Sequence, residues 1–154
     1  MRRPAIILSL AAALLSACAT YPTPNPQQQR LQSMPQRYNQ FDVVMGWEVK
    51  PSDGGTVVQG IVKNVRYYMM RGLEIWVVPL DSAGKEITRG VTYIIPSDLP
   101  LDHSADFTVK LPVTVTAGER LRFTYKYSGN DGGDADKGGG IDWMQSFVTV
   151  VPAR

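Results

Sequence analysis

The chain has 154 residues, 44% of them hydrophobic, with 16 basic and 14 acidic side chains. That leaves room for one compact domain with a core of its own. A single cysteine and a single histidine exclude an internal disulfide and any cysteine-based zinc site. The lack of a basic block excludes nucleic acid as the expected partner, because that binding rests on phosphate neutralisation.

Met1-Arg2-Arg3 makes a short positive start, and Ala5 to Ala17 follows without a charge. This apolar run is short for a permanent transmembrane helix, and it has the layout of a secretory signal. If the signal is removed, Arg2 and Arg3 leave with it, and 14 basic side chains then face 14 acidic ones. The run ends in Leu15-Ser16-Ala17-Cys18, which resembles the bacterial lipobox, an apolar residue and two small ones before a cysteine. The resemblance implies cleavage between Ala17 and Cys18, a diacylglyceryl group on the Cys18 sulfur and a fatty acyl chain such as palmitate on the new amino terminus. Several chains anchor stably at about 0.8 kcal/mol per buried CH₂. By similarity to Gram-negative sorting, Ala19 in place of Asp favours the periplasmic side of the outer membrane, with a Gram-positive host left open.

Residues 18–40 then read as the lipidated cysteine and a Pro/Gln-rich tether. Pro22, Pro24, Pro26 and Pro35 favour polyproline II, a semi-rigid spacer, and Gln27 to Gln32 has the alternative of a short helical turn.

From Phe41 to Pro152 the texture is β. The run Phe41–Lys50 ends at the turn signal Pro51-Ser52-Asp53-Gly54-Gly55. Thr56–Asn64 follows with Val58, Gly60 and Val62 on one side. Gly72–Asp81 is rich in β-branched and aromatic residues and is closed by a Gly turn. Glu86–Ile95 and Ala105–Val113 come next, the latter alternating through Phe107, Val109 and Leu111. Glu119–Tyr127 alternates most cleanly, with Leu121, Phe123, Tyr125 and Tyr127 on one face, and Ile141–Val151 closes the domain. About seven strands at this spacing predict an all-β, immunoglobulin-like sandwich. Trp47, Trp76, Phe107, Phe123 and Phe147 are its expected core aromatics.

Gly60-Ile61-Val62-Lys63-Asn64, the strand ending at Asp81 with its Gly84 turn, and Phe107 to Pro112 together resemble the FxLYD-type bacterial domains. Their pattern runs G-x-V-x-N, a strand closed by L-Y-D, and an F-x-V-x-[VL]-P strand. Here Val77, Pro79 and Leu80 replace the Phe, Leu and Tyr of the name-giving motif, and Asp81 alone matches. The resemblance implies an immunoglobulin-like sandwich and carries no catalytic residues. Each matching position has a structural use: Gly60 for close strand approach, Asn64 for bonding the backbone at a turn, and Asp81 with Gly84 for a hairpin.

Chemistry is sparse. His103 lies among Asp102, Ser104 and Asp106, residues that also form turns, and a triad needs its members brought together in space. There is no phosphate-binding glycine loop and no nucleophile elbow. Asp131, Asp134 and Asp136 in the Gly-rich stretch 128–142 offer hard oxygen ligands of the kind calcium selects, yet the spacing does not match a calcium loop and suits a long hairpin loop equally. Tyr67, Tyr68, Met69 and Met70 lie between Arg66 and Arg71, a composition enriched at protein interfaces, with the alternative that every second one of the four points into the sandwich.

The sequence thus predicts a non-enzymatic, cofactor-free envelope lipoprotein. A membrane holds it by its lipid, and its sandwich serves a structural role or meets another envelope component. The alternative is a calcium-binding or other ligand-binding lipoprotein using the loop 130–142.

Overall fold

The computed structural model describes residues 25–130 and 140–153. The element order is α1 (Pro26–Ser33), β1 (Gln36–Asn39), β2 (Val43–Ser52), β3 (Gly55–Asn64), β4 (Met69–Leu80), β5 (Gly90–Tyr93), β6 (Asp98–Leu99), β7 (Ser104–Leu111), β8 (Arg120–Asn130) and β9 (Ile141–Val150). Two antiparallel sheets, β1-β2-β3-β7 and β5-β4-β8-β9 with β6 beside β4, face each other. This is an immunoglobulin-like β-sandwich.

Alternation builds the core. Val43, Met45 and Trp47 of β2, Val58 and Val62 of β3, and Phe107, Val109 and Leu111 of β7 point inward from one sheet. Leu73, Ile75 and Val77 of β4 and Leu121, Phe123, Tyr125 and Tyr127 of β8 answer from the other. Trp47 meets Phe123 at 4.7 Å between ring centroids, and Phe123 stacks on Phe147 at 5.1 Å. Burial of such side chains stabilises by about 1.5–3 kcal/mol each. A Cβ at Gly60 would stand 2.2 Å from the Gly46 carbonyl oxygen and 2.6 Å from the Phe107 ring, so only glycine fits there.

Trp76, expected in the core, lies on the outer face. The apolar run Ile75-Trp76-Val77-Val78 does not itself reveal which alternate members point in; pairing of Val77 with Phe123 fixes that and turns Trp76 outward. There its indole N–H donates to Glu74 at 3.0 Å, and the Arg89 guanidinium lies 5.1 Å from the ring.

The second half of the expected tether is folded. Asn25 caps α1 by accepting from the Gln27 N–H, and Pro26 begins the helix with φ already fixed. Leu31 is buried against β2 and β3, and Gly46 leaves room for it: a Cβ there would lie 2.9 Å from both Leu31 Cδ1 and Met34 Cβ. Ile61, fully buried, lies on this outer face of β3. β1 then pairs Gln36–Asn39 with Val44–Trp47, which sets the start of the fold before Phe41. Short β1 and β6 raise the strand number above the expected seven.

Candidate interaction site

One end of the sandwich gathers the β1–β2, β3–β4 and β6–β7 connections and the start of β9. Asn64, fully buried at the end of β3, ties them. Its Nδ2 donates to the carbonyls of Tyr68 (2.7 Å) and Leu99 (2.8 Å), and its Oδ1 accepts from the Arg66 N–H (2.8 Å). Its backbone N–H donates to His103 O at 3.0 Å, and its carbonyl accepts from the Asp102 N–H at 2.9 Å. A buried amide whose donors and acceptor are all used rigidifies every segment it touches. The turn-making role expected of Asn64 is thereby realised, over a longer range than its own turn.

Asp42 is the second tie, also fully buried. Its carboxylate accepts from Tyr125 Oη at 2.8 Å and Tyr127 Oη at 3.0 Å, and its carbonyl accepts from the Val65 N–H at 2.9 Å. Burial first, then the hydrogen bond to the Asp42 carboxylate, pushes the Tyr125 hydroxyl far above its ordinary ionisation range. Burial and the Asp42 charge do the same to Tyr127. Sequence reasoning missed Asp42. The available signal was a carboxylate set directly against the apolar run Val43-Val44-Met45, with two tyrosines on an inward face whose hydroxyls need acceptors.

On this frame stands a cluster of exposed and half-buried rings around one cation. The Arg66 guanidinium lies 4.7 Å from the Phe41 ring centroid, 4.9 Å from that of Tyr68 and 5.8 Å from that of Tyr67. Phe41 meets Trp143 edge to face at 5.2 Å, and the Tyr67 and Tyr68 rings lie 4.1 Å apart with their hydroxyls hydrogen-bonded. Tyr67 is 66% exposed and Phe41 46%. Among the described residues no carboxylate lies within ion-pair distance of Arg66, whose Nε is buried without a hydrogen-bond partner. Cation–π contacts hold such a group in place, and Arg with Tyr and Trp is the composition of binding hot spots.

The four residues singled out between Arg66 and Arg71 therefore part company. Tyr67 and Tyr68 belong to the cluster, Met69 is half-buried, and Met70 is a core residue paired with Leu99. The reason is a β-bulge between Arg71 and Glu74, with Gly72 at φ 59°. The extra residue lets both Met70 and Leu73 point inward.

His103 is exposed at the same end. The Asp102 carboxylate engages Lys63 at 2.8 Å and that of Asp106 engages Arg30 at 3.1 Å, so both turn to cations rather than to the imidazole. Asp131, Asp134 and Asp136 lie outside the described residues, as do Ala17 and Cys18. Asp142, flanking that stretch, accepts from the Ser128 hydroxyl at 2.6 Å. Among the described residues no group of three or more His, Cys, Asp or Glu is placed to hold a metal ion. Beside the cluster, where β4 bulges, an open groove of about 530 Å³ is walled by Arg71, Glu74, Lys126 and Met144. Its Lys126 and Glu74 already pair with each other at 3.3 Å.

No protein-family model and no curated protein matches the chain. Among solved structures, the GAE domain of GGA2p from Saccharomyces cerevisiae is similar at a TM-score of 0.50 and 12% identity. The similarity covers 77% of this chain and 97% of that one. It is a likeness of fold.

Proposed function

We propose that this protein is a non-catalytic lipoprotein of the bacterial cell envelope that binds another envelope protein through the Arg66 cluster. An acylated Cys18 holds the chain to the periplasmic face of the outer membrane, and the residues before α1 form what is left of the tether. The kinship with FxLYD-type domains belongs to this reading. The observation that carries it is the pair of exposed rings, Phe41 and Tyr67, set with half-buried Tyr68 around Arg66, on loops held by buried Asn64 and Asp42. Aromatic anchors on a rigid frame lose little entropy on binding.

A photo-crosslinking residue placed at Tyr67 in intact cells should give one discrete adduct, absent when the same residue replaces Val91 on β5. Tyr68→Ser in the same background should remove the adduct. No adduct at either position, or equal adducts at both, rejects the cluster as the binding surface. The anchor has its own test: Cys18→Ser should abolish acyl labelling and leave an unprocessed precursor, and normal maturation of that variant overturns it.

A further inference from the structure

The two sheets end in four strand edges, and these are not alike. β1 and β5 are four residues each. β7 presents exposed Asp106 and Lys110, with Arg30 of α1 against Asp106. Short strands and edge charges are how sheets avoid pairing with other chains. β9 is ten residues long, and from Trp143 to Val150 it holds neither a charge nor a proline. Among the described residues no strand pairs with its outer side.

The backbone sense of that edge can be read from its end. Val151 donates its N–H to Glu119 O and accepts from the Gly118 N–H, both at 2.9 Å, so Val151 turns toward β8. Alternation then turns the N–H and C=O of Asp142, Met144, Ser146, Val148 and Val150 away from β8. Gln36 Nε2 donates to the Val150 carbonyl at 2.8 Å, as that sense requires. Met144, 64% exposed, and Val148, 54% exposed, stand over the open edge.

We propose that β9 pairs antiparallel with β9 of a second copy, about a two-fold axis at Gln145. The open segment Asp142–Val148 is centred on that residue, because Gln36 occupies the Val150 carbonyl beyond it. Asp142 then exchanges hydrogen bonds with the partner's Val148, and Met144 with the partner's Ser146, so the outward groups of the segment are all paired. The only charge in the segment is Asp142. The two copies of it lie about 20 Å apart at 3.4 Å per residue, beyond the roughly 8 Å screening length of physiological salt. An edge whose single charge stays that far from its own copy pairs with itself without repulsion, and the interface is isologous. This inference is independent of the Arg66 cluster.

Gln145 faces its own copy as a non-hydrogen-bonded pair, where Cα atoms stand about 4.5 Å apart, within disulfide reach. Gln145→Cys in the full chain, oxidised mildly in membranes, should give a disulfide dimer of two identical chains. The native chain, whose one cysteine is Cys18, supplies the baseline. Adding Val148→Lys or Ser146→Pro should lower the dimer yield by about tenfold while the melting transition is kept. The Ser146 N–H points away from β8, so proline spares the β8–β9 ladder and removes only the 2.7 Å hydroxyl contact with Thr124, a small shift in melting. The inference is overturned if Gln145→Cys stays monomeric, or if Tyr93→Cys on β5 dimerises equally. A disulfide to a different protein also overturns it, and so does an undiminished dimer yield in a breaking variant that still melts normally.

Discussion

Around the β2–β3, β4–β5 and β7–β8 turns the chain reverses on glycines in the left-handed region: Gly54 at φ 79°, Gly84 at 83° and Gly118 at 87°. Side chains there bond a few residues away, Asp81 accepting from the Lys85 N–H and Glu119 from the Thr116 N–H. Longer ties come from buried Thr56, accepting from the Val115 N–H, and from Arg120, whose guanidinium donates to the Asp81 and Ser82 carbonyls. The opposite end is closed by buried polar side chains acting over long separations, Asn64 reaching Leu99 and Asp42 reaching Tyr125 and Tyr127. The glycine turns are shaped first by local conformation, with ties such as that from Arg120 added when the strands meet. The polar end forms only when both sheets are in place, and it carries the aromatic cluster around Arg66.

The contrast predicts unequal losses. Asn64→Ala should destabilise the domain by about 3 kcal/mol, because it strands two carbonyls and an N–H that no longer reach a partner. Asp81→Ala at the other end should lose about 1 kcal/mol, its acceptor being exposed and its turn still held by Gly84. Urea unfolding measures both, and equal losses would erase the distinction between the ends.

Asp42→Ala should be next, at about 2 kcal/mol, from two tyrosine hydroxyls left buried without an acceptor, offset in part by relief of a buried charge. Its alkaline signature sharpens the same point. Tyr125 and Tyr127 keep their protons in the fold above the pH at which unfolded tyrosines lose theirs, near 10. Their contribution is therefore full below about pH 10 and declines as pH rises above it, since the unfolded chain then binds fewer protons. Tyrosine absorbance should show two groups that ionise only as the domain unfolds. Titration of every tyrosine with the fold intact would contradict the buried pairing.

A smaller effect belongs to the glycine end. Gly84→Ala introduces a Cβ into open space at positive φ, so the loss is backbone strain alone, about 1 kcal/mol. Thermal unfolding should resolve it, and no change would show that the turn is not held at that φ.

The same division decides what the sequence makes legible. Gly54, Asp81 and Gly84 announce their turns because a local conformation demands them. The alternation of Leu121, Phe123, Tyr125 and Tyr127 announces the inner face of β8 because period two is local as well. Trp76 is hidden for the converse reason, its facing being set by a partner strand far along the chain. Met70 is hidden because one residue of bulge reverses the phase that alternation would assign. β1 escapes because proline and glutamine read as spacer until β2 offers it a surface, and α1, legible only as the alternative of a short turn over Gln27 to Gln32, is fixed where Gly46 leaves room for Leu31. Asp42 looks like a charge at a strand start until two distant tyrosines meet it.

The smallest stability effect is expected at the residue most exposed in the cluster. Tyr67→Ser removes a ring that stacks on Tyr68 and lies near Arg66 but stands 66% in solvent, so unfolding free energy should move by no more than about 0.5 kcal/mol. Phe41 and Tyr68 still flank the guanidinium at 4.7 and 4.9 Å, and Asn64 still holds the loop, so the frame should survive the loss. If the ring is there to be touched rather than to hold the fold, a crosslinker at Phe41 should lose its adduct in this variant while urea unfolding is unchanged. A stability loss as large as that of Asn64→Ala would make Tyr67 part of the frame, and the cluster would then be a structural cap on the polar end.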